Sequence, residues 1–251
     1  MQPQRKPDVR IVESLAQVAE AAADEFIARA GEAIDHHGRF TVALSGGSTP
    51  KALHGVLVER SNKNPRLIDW SRIQIFFGDE RHVPPDHPDS NYRMAKETLL
   101  SKVPIPEVNV HRMRCENPDA NAVAVEYDKI LASGFRLKES QLPRLDLILL
   151  GMGPDGHTAS LFPGTEGVRE IQKRVIGNFV PKFNAWRVTF TFSVINHAEC
   201  VMPMISGDDK APALREVMGA GSPDTYPIKN VHPTHGALLW IVDRAAAKEL
   251  P

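Results

Sequence analysis

Short apolar runs alternate with longer stretches of helical periodicity along the whole chain. The stretches between the runs repeat their apolar residues about every 3.6 positions. The runs are rich in β-branched or aromatic residues and end in Gly, Ser or Asp; the strand candidates are 40–44, 73–77, 145–150, 175–180, 188–192, 200–205 and 237–242. This alternation predicts an α/β fold in which helices cover a mainly parallel sheet.

Two of the predicted helices carry recognisable end signals. Ser14 precedes the first with the spacing of a capping box, and Gly38 follows its last apolar residue. Asn117 stands before Pro118 at the start of the other, which we expect to end at Gly134. The apolar residues of each helix share a face, so both helices are predicted to pack against the sheet.

The chain is predicted to form one continuous domain, residues 1–251, because its sequence has no internal repeat, low-complexity tract or Gly/Ser linker. Lysine and arginine number 30 against 31 aspartate and glutamate residues, which gives a formal net charge of −1. A chain without an overall positive field has little attraction for nucleic acids or anionic membranes, so neither is expected as a partner. We expect a monomer.

The N-terminus and the cysteines predict the location of the protein. Residues 1–10 are polar and contain proline, and no run approaches the roughly 18 apolar residues that a membrane span needs. We therefore expect a protein that is neither exported nor inserted into a membrane. Cys115 and Cys200 are isolated from each other and lack the spacing of zinc ligands. The predicted location is the reducing cytoplasm.

The first strand candidate runs into the turn Ser45-Gly-Gly-Ser-Thr-Pro50, which we expect to open a helix with Thr49 as its cap. Gly46 and Gly47 allow close backbone approach, while Ser48 and Thr49 can donate hydroxyl hydrogen bonds to phosphate oxygens. The turn therefore predicts an anion site; the alternative is a tight turn without a ligand. The pattern G-x-x-x-x-G-K-[ST] is absent, which favours a phosphorylated small molecule over a nucleotide.

The second strand candidate ends in the ionisable sequence Gly78-Asp-Glu-Arg-His82. Ligands of parallel sheets bind beyond the carboxyl ends of the strands. The whole charged cluster, with Asp79 and Arg81, is therefore predicted to line a site. The alternative is a solvated loop with an internal ion pair.

A third strand candidate runs into Gly151-Met-Gly-Pro-Asp-Gly-His-Thr-Ala-Ser160. These residues satisfy the dinucleotide pattern G-x-G-x-x-G, but Pro163 and Gly164 interrupt the chain where that motif requires a helix. We therefore expect no nicotinamide cofactor. The loop presents Asp155 and His157, and such a carboxylate can orient the imidazole or act on a substrate itself. A histidine with a purely structural role is the alternative.

Two cations downstream are candidate phosphate ligands. Arg187 precedes the strand candidate 188–192, and Lys210 lies in the glycine turn Ser206-Gly-Asp-Asp-Lys-Ala211. Each alone is typical of surface charge, but a dianionic phosphate needs cationic partners besides backbone donors. The histidines outside the glycine loop lack the spacing of metal ligands, so no metal site is expected.

Three blocks of the sequence resemble the signature blocks of the 6-phosphogluconolactonases in their residues, order and spacing. They are Ser45-Gly-Gly-Ser-Thr-Pro50, Gly78-Asp-Glu-Arg-His-Val-Pro84 with Ser90-Asn-Tyr92, and Gly151-Met-Gly-Pro-Asp-Gly-His-Thr-Ala-Ser-Leu-Phe-Pro-Gly164. The resemblance continues to His235-Gly-Ala-Leu-Leu-Trp240 and covers roughly residues 10–248.

The resemblance implies an activity and a fold. The activity is hydrolysis of 6-phospho-D-glucono-1,5-lactone to 6-phosphogluconate, the second step of the oxidative pentose phosphate pathway, without a metal or cofactor. The fold is a three-layer α/β/α domain with a modified Rossmann-like sheet, as in glucosamine-6-phosphate deaminases and ribose-5-phosphate isomerases.

By position, the resemblance gives His157 the role of the general base that activates water. It implies that Arg81 and the turn at 46–49 hold the substrate, with Arg187 and Lys210 as phosphate partners. Aspartates 79 and 155 occupy positions that the related deaminases use for acid/base chemistry.

The sequence departs from the family pattern in two places, and two other functions are alternatives to the lactonase hypothesis. Asp208 and Asp209 would weaken the pull of Lys210 on a phosphate, and Pro203 favours an edge or irregular position for its strand. A deaminase or isomerase is disfavoured because Phe162 occupies the position of the deaminase glutamate. A non-catalytic sugar-phosphate sensor on the same fold is the other alternative.

Overall fold

The structure is a computed structural model that describes residues 8–250, and its strands form two sheets. The strands are β1 (Asp8–Val12), β2 (Phe40–Leu44), β3 (Ile73–Phe77), β4 (Asp79–Arg81), β5 (Leu147–Leu150), β6 (Val175–Val180), β7 (Ala185–Phe190), β8 (Cys200–Ile205) and β9 (Ala237–Asp243). Six of them form a parallel sheet in the order β1-β9-β8-β5-β2-β3. The other three form an antiparallel sheet in the order β4-β7-β6.

Helices cover both faces of the larger sheet. They are α1 (Leu15–His37), α2 (Ser48–Lys63), α3 (Asn91–Ala95), α4 (Ala120–Phe135), α5 (Phe192–Ile195), α6 (Ala211–Met218) and α7 (Arg244–Ala247). Helices α1 and α2 pack on one face, whereas α4 and α6 share an apolar cluster with the other face and with the small sheet. The predicted three-layer α/β/α fold is confirmed. No helix in the described part of the chain is long and apolar enough to cross a bilayer.

Successive side chains of the central strands pack into two different apolar clusters, one on each face of the sheet. Leu147 and Leu149 of β5 pack towards α1 and α2, while Ile148 and Leu150 pack towards α4 and α6. A strand covered on both faces is mostly apolar, because its side chains alternate between those faces. The exception in β2 is Thr41, whose N–H and hydroxyl donate to the carboxylate of Asp146. The central strands therefore appear in the sequence as nearly continuous apolar runs.

The helix-end predictions succeeded for α1 and failed for α4. The hydroxyl of Ser14 caps α1, accepting from the backbone N–H of Gln17 at 3.5 Å, and Gly38 terminates that helix with φ of 85°. For α4 the cap is Asp119, because the predicted cap, Asn117, instead accepts from the N–H of Asp119 in a turn before the helix. Helix α4 also continues through Gly134 to Phe135.

Of the two positions predicted for Pro203, the edge is excluded because β8 lies between β5 and β9, and an irregular position is observed. Pro203 stands in register with Leu150 of β5. On the β9 side, residues Val201 and Met204 pair with their partners, but the two positions between them do not. Proline has no N–H to donate, so the ladder is interrupted there while the register continues unchanged.

Two strands were missed and one was misplaced by the sequence analysis. Strand β1 lies at the sheet edge and is half exposed, and β4 consists of three charged residues, so neither forms an apolar run. Strand β7 covers Ala185–Phe190 instead of 188–192, because Phe192 begins the short helix α5.

His54 in helix α2 makes the stability of the fold sensitive to acid. It is completely buried, its Nδ1 lies 2.7 Å from Oγ1 of Thr98, and its Nε2 has no hydrogen-bond partner among residues 8–250. Burial lowers the pKa of His54 to about 4. Below the unfolded-state pKa of about 6.5, the unfolded chain therefore binds a proton that the folded chain excludes, and stability falls until the pH reaches about 4.

We therefore expect His54→Leu to remove roughly 3 kcal/mol of the acid-induced loss in the free energy of unfolding between pH 6.5 and 4. The measurement is urea unfolding of both proteins at several pH values. His36→Leu, at an exposed histidine, serves as the control and should leave the pH dependence unchanged. Equal acid sensitivity of wild type and His54→Leu would contradict this origin.

Candidate active site

The carboxyl ends of β2, β5 and β8 open into a cleft of about 270 Å³. Parallel strands bring these three ends to the same edge of the sheet. Eight of the predicted site residues line the cleft: Gly46, Gly47, Ser48, Thr49, Asp79, Arg81, His157 and Lys210. Asp155 and Arg187 lie beside the cleft but are not part of its lining.

The glycine turn places the N-terminus of helix α2 at one side of the cleft. Gly47 precedes the helix with φ of 106°, a left-handed value that favours glycine. The helix begins at Ser48, so the prediction of Thr49 as cap was wrong by two positions. A Cβ at Gly46 would lie 1.9 Å from Oδ1 of Asn91, so a side chain is excluded there. The first N–H groups of a helix lack intrahelical partners and attract anions.

Lys210 faces the cleft from the turn after β8. Its Nζ donates to Oδ2 of Asp209 at 2.8 Å, while Asp208 lies 3.8 Å from Nζ of Lys248. Of the two neighbouring carboxylates, Asp209 therefore forms an ion pair with Lys210 and Asp208 faces Lys248. Despite this ion pair, Lys210 is part of the cleft lining.

Strand β4 divides the predicted charged cluster between two sides. Asp79 and Arg81 line the cleft. Glu80 points away: it is buried and accepts from the backbone N–H groups of Arg81, Asn91 and Tyr92. Burial raises the pKa of Glu80, and these hydrogen bonds oppose that effect. The expectation that the whole cluster lines the site was wrong, because successive side chains of a strand alternate in direction.

Asp79 is held by the loops around it. It is buried, its Oδ2 accepts from the hydroxyl of Ser160 at 2.6 Å, and its Oδ1 lies 3.4 Å from Nδ2 of Asn91. The guanidinium of Arg81 donates to the backbone carbonyl of Asp89. Both side chains therefore have fixed positions in the cleft wall.

His157 is held in the loop after β5 by a carboxylate and an aromatic ring. Its Nδ1 lies 2.5 Å from Oδ1 of Asp155, and its ring stacks on Phe162 with a centroid separation of 3.9 Å. Burial alone would raise the pKa of Asp155, but hydrogen bonds from His157 and Lys182 outweigh that effect and hold the pKa well below its usual range. Asp155 is thus an ionised partner of Nδ1, and Nε2 is the ring nitrogen left to act in the cleft.

The second glycine of the loop gives this imidazole its space. A Cβ at Gly153 would lie 2.1 Å from both Cε1 and Nδ1 of His157. The chain after Gly156 forms turns and a short bridge between Thr158 and Leu161 instead of a helix. The expectation that no long helix follows the third glycine is therefore confirmed by the local backbone.

Arg187 lies next to Arg81 but outside the cleft lining. Strand pairing places it opposite Arg81, and its guanidinium lies 5.6 Å from the ring centroid of Phe183. Burial, and next the neighbouring Arg81 guanidinium, lower the pKa of Arg187. The structure thus brings this predicted residue near the site but not into its lining. In the described range 8–250, no three His, Cys, Asp or Glu side chains are grouped as metal ligands would be.

Comparison with known proteins gives the chain its family. A sequence model described as glucosamine-6-phosphate isomerases/6-phosphogluconolactonase matches residues 13–240. The chain belongs to this family.

Relatives in this family match almost the whole chain. The 6-phosphogluconolactonase of Nostoc sp. is 39% identical over 248 residues, which cover 98% of this chain and 99% of that protein. The solved 6-phosphogluconolactonase of Trypanosoma cruzi has a TM-score of 0.86 at 30% identity and covers 99% of each chain. A monomeric glucosamine-6-phosphate deaminase, with a TM-score of 0.81 at 18% identity over 96% of this chain and 99% of its own, shares the fold.

In this member of the glucosamine-6-phosphate isomerase/6-phosphogluconolactonase family, sequence reasoning assigned no role to three residues that shape the site. Asn91 lines the cleft and Ser160 holds Asp79. Lys182 donates to Asp155 from a distant turn. Asn91 and Ser160 stand inside the signature blocks, which is a signal that could have found them. The position of Lys182 in the sequence gives no comparable signal.

Proposed function

We propose that the chain hydrolyses 6-phospho-D-glucono-1,5-lactone to 6-phosphogluconate, the second step of the oxidative pentose phosphate pathway. The observation that carries this proposal is the imidazole of His157 in the cleft wall, with its Nδ1 held by an ionised Asp155. The high coverage of relatives named 6-phosphogluconolactonase supports the same activity.

The proposed mechanism uses His157 as the general base. Nε2 takes a proton from a water molecule while the water oxygen attacks the lactone carbonyl carbon. The resulting tetrahedral oxyanion collapses, the bond from this carbon to the ring oxygen breaks, and the ring oxygen receives a proton from the imidazolium. Asp155 fixes the ring and stabilises its protonated form. Arg81 and Asp79 line the same cleft and position the substrate.

The phosphate of the substrate is proposed to bind at the N-terminus of helix α2. The backbone at Gly46 and Gly47, the hydroxyl groups of Ser48 and Thr49, and Lys210 supply hydrogen-bond donors and positive charge there. Arg187, which pairs with Arg81 across the small sheet, contributes positive charge, in keeping with the phosphate contact that the sequence resemblance implied. This set would hold the substrate by its one strongly charged group.

Deamination is the less supported alternative. Phe162, at the position of the deaminase glutamate, is buried and stacks on His157. It offers no acid for opening an aminosugar ring. The solved deaminase, at 18% identity, supports only a common fold.

The test of the proposed function is acid release from freshly prepared 6-phosphogluconolactone, corrected for spontaneous hydrolysis. We expect rapid acid release that needs no added metal and resists a chelator, together with no ammonia release from glucosamine 6-phosphate. Ammonia release as fast as lactone opening, or complete dependence on a divalent ion, would overturn the proposal.

We also propose a domain organisation, a partner, an oligomeric state and a location for the protein. We propose one domain over residues 1–251; for the described range 8–250, the apolar cluster that the small sheet shares with the large one supports it. The partner is a phosphorylated sugar lactone and not a nucleic acid, which the net charge of −1 supports. We propose a monomer in the cytoplasm, where the two buried cysteines Cys115 and Cys200 would stay reduced.

A further inference from the structure

The turn between β6 and β7 contacts the His157 loop through two consecutive side chains. This turn consists of Pro181–Phe183 and is closed by Asn184 with φ of 46°. Lys182 donates from Nζ to Oδ2 of Asp155 at 2.7 Å. Phe183 packs its ring against Phe162 at 5.5 Å and 81°. One side chain thus reaches the carboxylate that holds His157, and the next supports the ring on which His157 stacks.

The two oxygens of Asp155 have different partners. Oδ1 faces Nδ1 of His157, and Oδ2 faces the ammonium group of Lys182. Two partners on the two oxygens restrain rotation of the carboxylate about its terminal bond and so favour the direction of Oδ1 towards the imidazole. Because Lys182 neutralises part of the negative charge, the carboxylate also stabilises a protonated imidazole less strongly than it would alone.

The other charged groups around His157 come from different elements. Asp79 and Arg81 on β4 and Lys210 after β8 line the same cleft as the imidazole, and Arg187 on β7 lies over Phe183. Lys182 is the cation in direct contact with Asp155. Its charge therefore acts on His157 through the carboxylate that both residues share.

We propose that Lys182 is a positioning residue for the lactonase reaction, which fixes the second oxygen of Asp155 and keeps His157 unprotonated at lower pH. The proposal rests on the proposed function, in which His157 is the base. An exposed ion pair alone contributes little to folding stability, so a merely structural Lys182 would affect neither the pH profile nor turnover.

The test compares the pH dependence of kcat in wild type, Lys182→Met and Lys182→Arg. In Lys182→Met we expect the acidic limb of kcat to move upward by about 0.3 to 0.7 pH unit and kcat at pH 8 to fall several-fold. KM should stay nearly constant because Lys182 is not in the cleft lining. Lys182→Arg keeps the charge and should restore the wild-type profile. An unshifted acidic limb in Lys182→Met would overturn the proposal.

A matched control and a second readout make the outcome independent of activity. Lys63→Met removes another exposed lysine in an ion pair, at the far end of α2 and about 22 Å along the helix axis from the cleft, and should leave the profile unchanged. Nuclear magnetic resonance of ¹⁵N-labelled histidine follows protonation of His157 without substrate. We expect the same upward shift in Lys182→Met, with unchanged circular dichroism. If the wild type lacks lactonase activity, the proposed function fails, while this titration still confirms or overturns the role of Lys182.

Discussion

Replacing His157 with asparagine should lower kcat for the phosphorylated lactone by roughly 10² to 10⁴-fold. A lactone carbonyl is already reactive, so the enzyme chiefly needs an oriented base to take a proton from the attacking water. Asparagine keeps a polar side chain on Asp155 but supplies no base. Affinity for 6-phosphogluconate should change little, because the proposed phosphate contacts remain. The measurements are steady-state kinetics across pH and product binding by calorimetry.

The wild-type enzyme should lose kcat in acid as the imidazole becomes protonated, and the variant should lack that limb. His36→Asn is the matched control, since this exposed histidine lies at the end of α1. Near-normal turnover of His157→Asn with an unchanged acidic limb would show that His157 is structural. Asp79 and Asp155 would then be the next candidates for the base.

Gluconolactone without the phosphate should react with a kcat/KM roughly 10² to 10⁴-fold below that of the phosphorylated lactone. Each hydrogen bond to a charged group contributes about 1.5 to 3 kcal/mol, and at least two such bonds would be lost. The measurement is acid release from both lactones under identical conditions. Equal kcat/KM values would remove the phosphate site from the mechanism.

Substitution of Lys210, the lysine in the cleft lining, tests whether this residue contributes to the preference for the phosphorylated lactone. Lys210→Met should raise KM for the phosphorylated lactone about tenfold and leave the reaction of the plain lactone nearly unchanged. Lys248→Met is the matched control, because Lys248 faces Asp208 and is not in the cleft lining. Arg187→Ala should also act mainly on KM, as expected for a contact of equal strength in the ground and transition states.

Burial on both faces made most of the fold predictable from the sequence. Strand β5 is apolar at every position and β2 at every position except Thr41, which distinguishes them from helices with one apolar side. The edge strand β1 and the charged strand β4 gave no such pattern. For Pro203 the sequence left an edge and an irregular position open, and the structure has a local gap in the pairing inside the sheet.

Site residues that follow the end of a strand in one loop were predictable from the sequence. Contacts between loops that are far apart in the sequence were not. The glycine turn at 46–49 and His157 follow strand ends, so the sheet topology alone brings them together. The opposite direction of Glu80 depended on whether residues 79–81 form a strand. The position of Arg187 beside Arg81 depends on the pairing of β4 with β7, and the contact from Lys182 depends on how the small sheet packs against the large one.

The contacts of the turn at Pro181–Phe183 restrict insertions and deletions in the hairpin of β6 and β7. Turns between antiparallel strands usually tolerate added or lost residues, since they project into solvent. Here the side chains at the tip meet the loop of His157, and adding a single residue to the hairpin would turn them to the opposite side of the strands. Longer surface loops elsewhere would leave this contact intact. An inserted or deleted residue in this hairpin would separate the ammonium group of Lys182 from Asp155.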